Sequence, residues 1–193
     1  MSFNITPPPS EMEKRDEVLA KAYSNLIYFG RAFLPNDFLK KSESAPFHYE
    51  MGKKMIDTAP GARICNIIPR GHGKSVVAKA AIMHKLCFAA DDQQHFIAWV
   101  SEEQSQAIDH LKYIRSHFED NKMIRYYFGN MDGGSVGKRW TEKDLVTPKG
   151  DRVISKGTSQ RLRGRAEVDV RYTGIVLDDF ESELNTKTPE RRA

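Results

Sequence analysis

The stretch IPRGHGKS, residues 68–75, lies between a short apolar run and an alanine-rich segment. Glycines at 71 and 73 let a backbone wrap closely around a phosphate, and the free amides of a following helix would donate to its oxygens. The lysine of such a loop neutralises nucleotide phosphates, and the serine after it binds Mg²⁺. The stretch therefore predicts a Walker A phosphate loop in which Lys74 binds phosphate and Ser75 binds Mg²⁺. It departs from the usual motif at Ile68, where a glycine is expected.

A phosphate loop of this kind requires a strand before it and a helix after it. Residues 63–68 (RICNII) form a short β-branched apolar run, typical of a buried strand, and an alanine-rich helix is predicted from Lys74 to about Ala90. Strands alternating with helices predict an α/β sandwich with a largely parallel central sheet. Other predicted elements are buried strands at 95–100 and 174–177, a hairpin at 145–154, and a helix after Ser101 with buried positions at Ala107, Leu111, Ile114 and Phe118.

An acidic cluster follows the last predicted strand, in the segment IVLDDFE at 175–181. Open α/β sheets bind ligands at the carboxyl ends of their strands, and nucleotide hydrolysis needs one carboxylate for Mg²⁺ and another to polarise the attacking water. We expect Asp178 to serve the metal and Asp179 to activate water. Glu181 competes for the second role because its longer side chain also reaches outward. We expect the phosphate loop and this cluster to converge on the same metal ion.

Composition and charge limit the class of protein. The chain has 193 residues, of which 39% are hydrophobic and 29% charged, as in folded globular proteins. No segment approaches the roughly 18 apolar residues of a membrane span, and we expect Cys65 and Cys87, both within apolar segments, to be reduced core residues. The net charge is +4, but residues 138–171 hold ten Lys or Arg against five Asp or Glu. Such a window suits phosphate, either of a nucleotide or of DNA.

The N-terminal third divides into a tail and a helical part. Three consecutive prolines, Pro7 to Pro9, predict a flexible tail over 1–12. An amphipathic helix is predicted from Glu13 to Leu34, and a second from about His48 to Thr58. These helices make up a segment, 13–60, that packs on a core spanning 61–193.

From Phe47 to Arg192 the chain resembles the large terminase subunits of tailed bacteriophages, the motors that package DNA. Four segments carry the resemblance in the family's order. The resemblance implies an ASCE-type P-loop NTPase, a three-layer sandwich with a mainly parallel sheet and an N-terminal helical extension. It also implies that the chain stops before a coupling motif and a nuclease domain, so that no nuclease activity is expected. The four segments are PRGHGKS at 69–75, WVSEEQSQAIDHLKYIRSHFEDNKMIRYYFG at 99–129, SQRLRGR at 159–165 and GIVLDDFE at 174–181.

The resemblance also implies residue roles. Arg70 is similar to an arginine that senses the γ-phosphate within the subunit, and Arg163 to an arginine finger supplied to a neighbouring subunit, with Arg161 and Arg165 as rivals. A salt bridge or a DNA contact is the alternative for each arginine. Phe47 and His48 stand where the family contacts adenine, although Phe47 would serve equally as a core anchor. The nucleotide-binding set is then Phe47, His48, Pro69, Arg70, Gly71, His72, Gly73, Lys74, Ser75 and Val76.

The implied function is an ATP-hydrolysing motor domain that couples Mg-ATP hydrolysis to translocation of double-stranded DNA into a procapsid. The implied partners are double-stranded DNA, a homo-oligomeric ring seated on a portal protein, and a small terminase subunit, with no membrane, in the cytoplasm of an infected bacterial host. Two alternatives share the motifs. One is a helicase-like DNA translocase, and the other is a nucleotide- or DNA-binding fragment without turnover of its own.

Overall fold

A computed structural model describes residues 9–38, 43–59, 61–160 and 171–180. The chain forms two compact units, Met1–His84 and Lys85–Ala193. The sequence predicted a boundary after residue 60, whereas this division lies after His84, near the end of the helix that follows the phosphate loop. The predicted phosphate loop therefore belongs to the first unit and the acidic strand end to the second.

The first unit is helical. Its first helix begins at Pro9, and proline is favoured at the first position of a helix because its missing N–H needs no partner there. Residues 9–12 are thus helical, which corrects the predicted tail; residues 1–8 lie outside the described residues. The helices are α1 (Pro9–Ser24), α2 (Leu26–Phe33), α3 (Pro35–Phe38), α4 (Pro46–Ile56) and α5 (Lys74–Cys87), the last of which extends three residues into the second unit.

The single helix predicted from 13 to 34 is divided at Asn25. The Asn25 side chain accepts a hydrogen bond from the amide of Tyr28 at 3.0 Å and caps the start of α2. Asparagine is among the strongest N-cap residues, so the chain restarts a helix there instead of continuing the old one. Behind the break, Phe29 and Phe33 are fully buried, and they anchor the core of this unit.

The predicted strand at 63–68 is wrong. Residues 62–69 have no regular secondary structure, and Ile67 is 94% exposed. Cys65 is also exposed, contrary to its predicted place in the core, whereas Cys87 is buried as predicted. An apolar run becomes a strand only where a neighbouring strand satisfies its amides, and within the described residues this segment has none.

The second unit is built on a four-stranded sheet of β1 (Phe96–Ser101), β2 (Asp144–Val146), β3 (Arg152–Gly157) and β4 (Gly174–Leu177), in the order β2-β3-β1-β4. Strand β1 is parallel to β3 and to β4, while β2 is antiparallel to β3. Within the described residues the two units together contain seven α-helices and this mostly parallel mixed sheet, so the protein belongs to the α/β class. The other elements of the unit are α6 (Gln104–Asp120), α7 (Lys122–Phe128) and a 3₁₀ turn (Gly134–Val136).

Helix α6 packs against β1 and β3. Its four predicted core positions are confirmed, because Ala107, Leu111, Ile114 and Phe118 are all buried. The helix was predicted to follow Ser101, but Ser101 ends β1, and α6 starts three residues later, after Glu103.

Strand β4 was predicted to be buried but is only partly so. Ile175 and Leu177 are 49% and 54% exposed, since β4 is the last strand of the sheet and pairs with β1 alone among the residues described. Within the described residues, no helix is both long and apolar enough to cross a membrane.

Candidate functional site

The backbone of the predicted phosphate loop has the conformation that its glycines allow. Gly71 and Gly73 have φ of 79° and 74°, in the left-handed region that side chains rarely adopt. A Cβ on Gly71 would meet nothing within 4 Å. The first helical hydrogen bond of α5 follows directly, from the Val77 amide to the Gly73 carbonyl at 3.0 Å. The loop therefore leads straight into a helix N-terminus, with open space beside Gly71.

Lys74 is the first residue of α5 and folds back over the loop. Its Nζ donates to the carbonyl of Ile68 at 2.6 Å and to the carbonyl of Pro69 at 3.0 Å. The ammonium group is thus held at the mouth of the loop by the chain's own backbone. A phosphate that bound the loop would take the place of these two acceptors, because an ammonium group prefers a negatively charged oxygen.

Three aromatic rings meet at this loop. His72 Nδ1 donates to the Arg70 carbonyl at 2.9 Å, and His48 Nε2 reaches the His72 carbonyl at 2.9 Å. The Phe47 ring lies 4.1 Å from the His48 ring and 6.2 Å from the His72 ring, between centroids. The sequence placed Phe47 and His48 near the nucleotide, and the structure brings both against the loop. The sequence did not predict that His48 would bond to the loop backbone or that the Phe47 ring would lie near the His72 ring.

The remaining predicted loop residues differ in exposure. Pro69 and Arg70 are exposed, and Ser75 and Val76 are partly buried at the start of α5. An open depression of about 520 Å³ lies on another part of this unit, between the end of α4 and residues 57–64. None of the residues lining it belongs to the loop at 68–75.

The second region is the carboxyl edge of the sheet. Because β1, β3 and β4 are parallel, their last residues meet at one edge, where Ser101 pairs with Gly157. The Asp178 amide donates to the Val100 carbonyl at 2.9 Å, and the Glu102 amide donates to the Asp179 carbonyl at 3.0 Å. These bonds fix the two aspartates to the end of β1.

The two aspartates have different surroundings. The Asp178 side chain is only 14% exposed, and its Oδ2 lies 3.5 Å from His110 Nε2 on α6. Asp179 is exposed, and its φ of 44° makes it the only residue other than glycine with positive φ within the described residues. Aspartate and asparagine tolerate that conformation better than other residues. Asp178 is therefore held by the protein, while Asp179 projects from a tight turn.

Sequence reasoning missed His110. Its ring stacks on the fully buried Trp99 at 4.4 Å between centroids, with the ring planes 27° apart. It lies three residues after Ala107, on the buried stripe of α6, and that spacing was the signal that could have revealed it. Ser101 Oγ is also buried at this edge and has no hydrogen-bond partner among the described residues.

Comparison with protein-family models, with curated proteins and with solved structures finds no match for this chain.

Part of the basic window is neutralised within the second unit. Arg139 and Arg152 both donate to Asp144, at 2.8 Å and 2.7 Å, and Lys149 lies 3.1 Å from Asp91. Although burial opposes it, hydrogen bonds from Arg152 and Arg139 hold the pKa of Asp144 below its ordinary value. Of the other basic residues in the window, Lys138, Lys143 and Arg171 are exposed.

Several predicted site residues lie outside the described residues. They are Glu181, the rival of Asp179, and the arginines of the SQRLRGR segment, Arg161, Arg163 and Arg165. Their roles stay predictions from the sequence. The structure brings the loop residues together within the first unit and the two aspartates together within the second.

Proposed function

We propose that this chain is the ATP-hydrolysing motor domain of a viral DNA-packaging terminase, coupling Mg-ATP hydrolysis to translocation of double-stranded DNA into a procapsid. The observation that carries the proposal is the loop conformation, with two left-handed glycines leading into the first turn of α5 and Lys74 at its mouth. The strand expected before the loop is not formed, so the proposal rests on the loop and on the helix after it. It is supported by the aspartate pair at the carboxyl edge of a mostly parallel sheet. Neither feature alone would identify a nucleotide hydrolase.

The residues fit a phosphate group. Among the described residues, none lies within 4 Å of a Cβ built on Gly71, and a Cβ on Gly73 would lie 3.6 Å from His48 Nε2. Amides at the start of α5 would donate to phosphate oxygens, favoured by the helix dipole. Lys74 would exchange its two carbonyl acceptors for phosphate oxygens, so that the chain loses two hydrogen bonds in exchange for one charged contact.

The residues at the sheet edge would supply the acid–base chemistry. The sequence assigns magnesium, which would neutralise phosphate charge, to Ser75 in the first unit and to Asp178 in the second. Asp179, exposed on its turn, would accept a proton from the attacking water, and Glu181 competes for that role. Arg70 would act within the subunit, and Arg163 in a neighbouring copy of a homo-oligomeric ring. The exposed cations Lys138, Lys143 and Arg171 are the candidates for contact with double-stranded DNA.

The experiment is a measurement of Mg²⁺-dependent ATP hydrolysis at increasing protein concentration, with and without duplex DNA. We expect activity to rise faster than linearly with concentration, because an arginine from a second copy completes the site. We expect Lys74→Ala to lower turnover at least about 100-fold, as loss of a group that stabilises developing charge does. Lys54→Ala is the matched control, since Lys54 is an exposed lysine of the same unit.

Three results would redirect the proposal. Unchanged turnover in Lys74→Ala would remove the loop from the chemistry. Binding of ATP without hydrolysis at any concentration would indicate a passive binding module. Separation of the two strands of a duplex would indicate a helicase-like translocase, whereas displacement of a third strand from an intact duplex supports a packaging motor.

A further inference from the structure

We propose that His48 is a positioning residue that clamps the phosphate loop through the His72 carbonyl. This role rests on the proposed function and differs from recognition of adenine, because the contact is with the loop backbone. The observation is a chain of two hydrogen bonds: the Ala45 amide to His48 Nδ1 at 3.1 Å, and His48 Nε2 to the His72 carbonyl at 2.9 Å.

The two contacts define the state of the ring. A backbone amide can only donate, so His48 Nδ1 must accept and cannot carry a proton. A carbonyl can only accept, so Nε2 must carry the proton and donate. The ring is therefore neutral, with its hydrogen on Nε2, and both nitrogens are engaged. One side chain thus ties the entry of α4 to the turn before α5.

The clamp acts where the loop is least constrained by packing. His72 lies between two left-handed glycines, next to open space at Gly71. Glycine-rich backbone loses more conformational entropy on ordering than any other, so an unrestrained loop would bind phosphate more weakly. By fixing the carbonyl of His72, His48 orders this turn before phosphate binds. The clamp should therefore strengthen binding of any polyphosphate, whether or not it carries a base.

Two substitutions separate the clamp from other roles. In His48→Gln the side-chain oxygen can accept from the Ala45 amide, as in a capping box, while its nitrogen donates to the carbonyl. In His48→Leu bulk is retained and both hydrogen bonds are lost. The probes are ATP and inorganic tripolyphosphate, which has no base. We expect His48→Leu to weaken binding of both about tenfold, the effect of losing about one net hydrogen bond, and His48→Gln to restore most of it.

A second readout needs no ligand. Amide hydrogen exchange over residues 70–76 should become faster in His48→Leu and remain close to wild type in His48→Gln. Loss of ATP binding with tripolyphosphate binding unchanged would overturn the clamp in favour of base recognition. Unchanged exchange in His48→Leu would overturn it directly. Failure of the unmodified protein to bind either probe would reject the proposed function, while the exchange measurement would still decide whether His48 orders the loop.

Discussion

The proposed phosphate loop and the acidic strand end are built in opposite ways. The loop is shaped locally: two left-handed glycines, a lysine bonded to carbonyls five and six residues back, and a histidine bonded to a carbonyl two residues back. The strand end is shaped by long-range pairing, since Asp178 and Asp179 bond to the end of β1, more than 70 residues earlier. The loop's geometry is therefore carried mostly by a short sequence, to which His48 adds one hydrogen bond from 24 residues away, whereas that of the aspartates depends on the sheet.

This difference predicts how each region responds to substitution. In the loop, backbone conformation is the sensitive quantity. At the strand end, charge and the integrity of the sheet are sensitive. The following substitutions test that contrast.

The largest effect, on the rate of ATP hydrolysis, is expected at Asp179 in the turn after β4. Asp179→Asn should lower the rate of hydrolysis about 100-fold, the contribution of a general base, while changing the ATP dissociation constant less than about threefold. Asparagine tolerates the φ of 44° as aspartate does, so the substitution removes charge without adding strain. Single-turnover hydrolysis and equilibrium ATP binding are the measurements.

Asp120→Asn is the control for this result, and Glu181→Gln tests the alternative base. Asp120→Asn removes an exposed carboxylate at the end of α6 and should leave both quantities unchanged. If Glu181→Gln reduces hydrolysis and Asp179→Asn does not, the roles of the two residues are exchanged.

An intermediate effect, on the free energy of unfolding, is expected at Asp144. Asp144 on β2 accepts two hydrogen bonds from Arg152 and one from Arg139, between 2.7 Å and 2.8 Å. Asp144→Asn should lower the free energy of unfolding by about 2 kcal/mol, because hydrogen bonds to charged groups are worth about 1.5–3 kcal/mol. Chemical denaturation measures this change.

The contribution of Asp144 to the free energy of unfolding also depends on pH. The pKa of Asp144 is lower in the folded protein than its ordinary value near 4. Its contribution is therefore complete above that value and is lost as the pH falls through the folded-state pKa. The gap between wild type and Asp144→Asn should close in acid. Glu142→Gln, which removes an exposed partner of Lys112, should have almost no effect at any pH; a loss equal to that of Asp144→Asn would contradict the role given to Asp144.

The smallest effect is expected from one methyl group in the loop. Gly71→Ala should cost about 1 kcal/mol in a left-handed position and weaken tripolyphosphate binding about fivefold. Gly61→Ala is a close control, since Gly61 has φ of 80°, and a Cβ there would also meet nothing within 4 Å. It should lose similar stability but bind normally. Equal loss of binding in both variants would show that the loop has no special dependence on its backbone.

The sequence predicted what is set by local pattern. The α6 core positions follow helical spacing, and the hairpin at 145–154 follows its turn residues, and both are confirmed. The strand at 63–68 could not be judged from its apolar pattern, because pairing depends on a neighbour that pattern does not reveal. The same holds for β4, where edge position decides the exposure of Ile175. The contact of His110 with Asp178 was missed because the two residues are 68 positions apart and only the sheet brings them together, although helical spacing placed His110 beside the buried positions of α6.

The exposed edge of β4 affects how copies of the protein associate. Ile175 and Leu177 leave apolar surface beside an edge that no other strand covers within the described residues, and such edges invite pairing between molecules. The two aspartates that follow would bring like charges together in any such pairing, as gatekeeper residues do. We therefore expect the acidic pair to protect solubility in addition to its chemistry, so that variants without these charges would aggregate at lower concentrations.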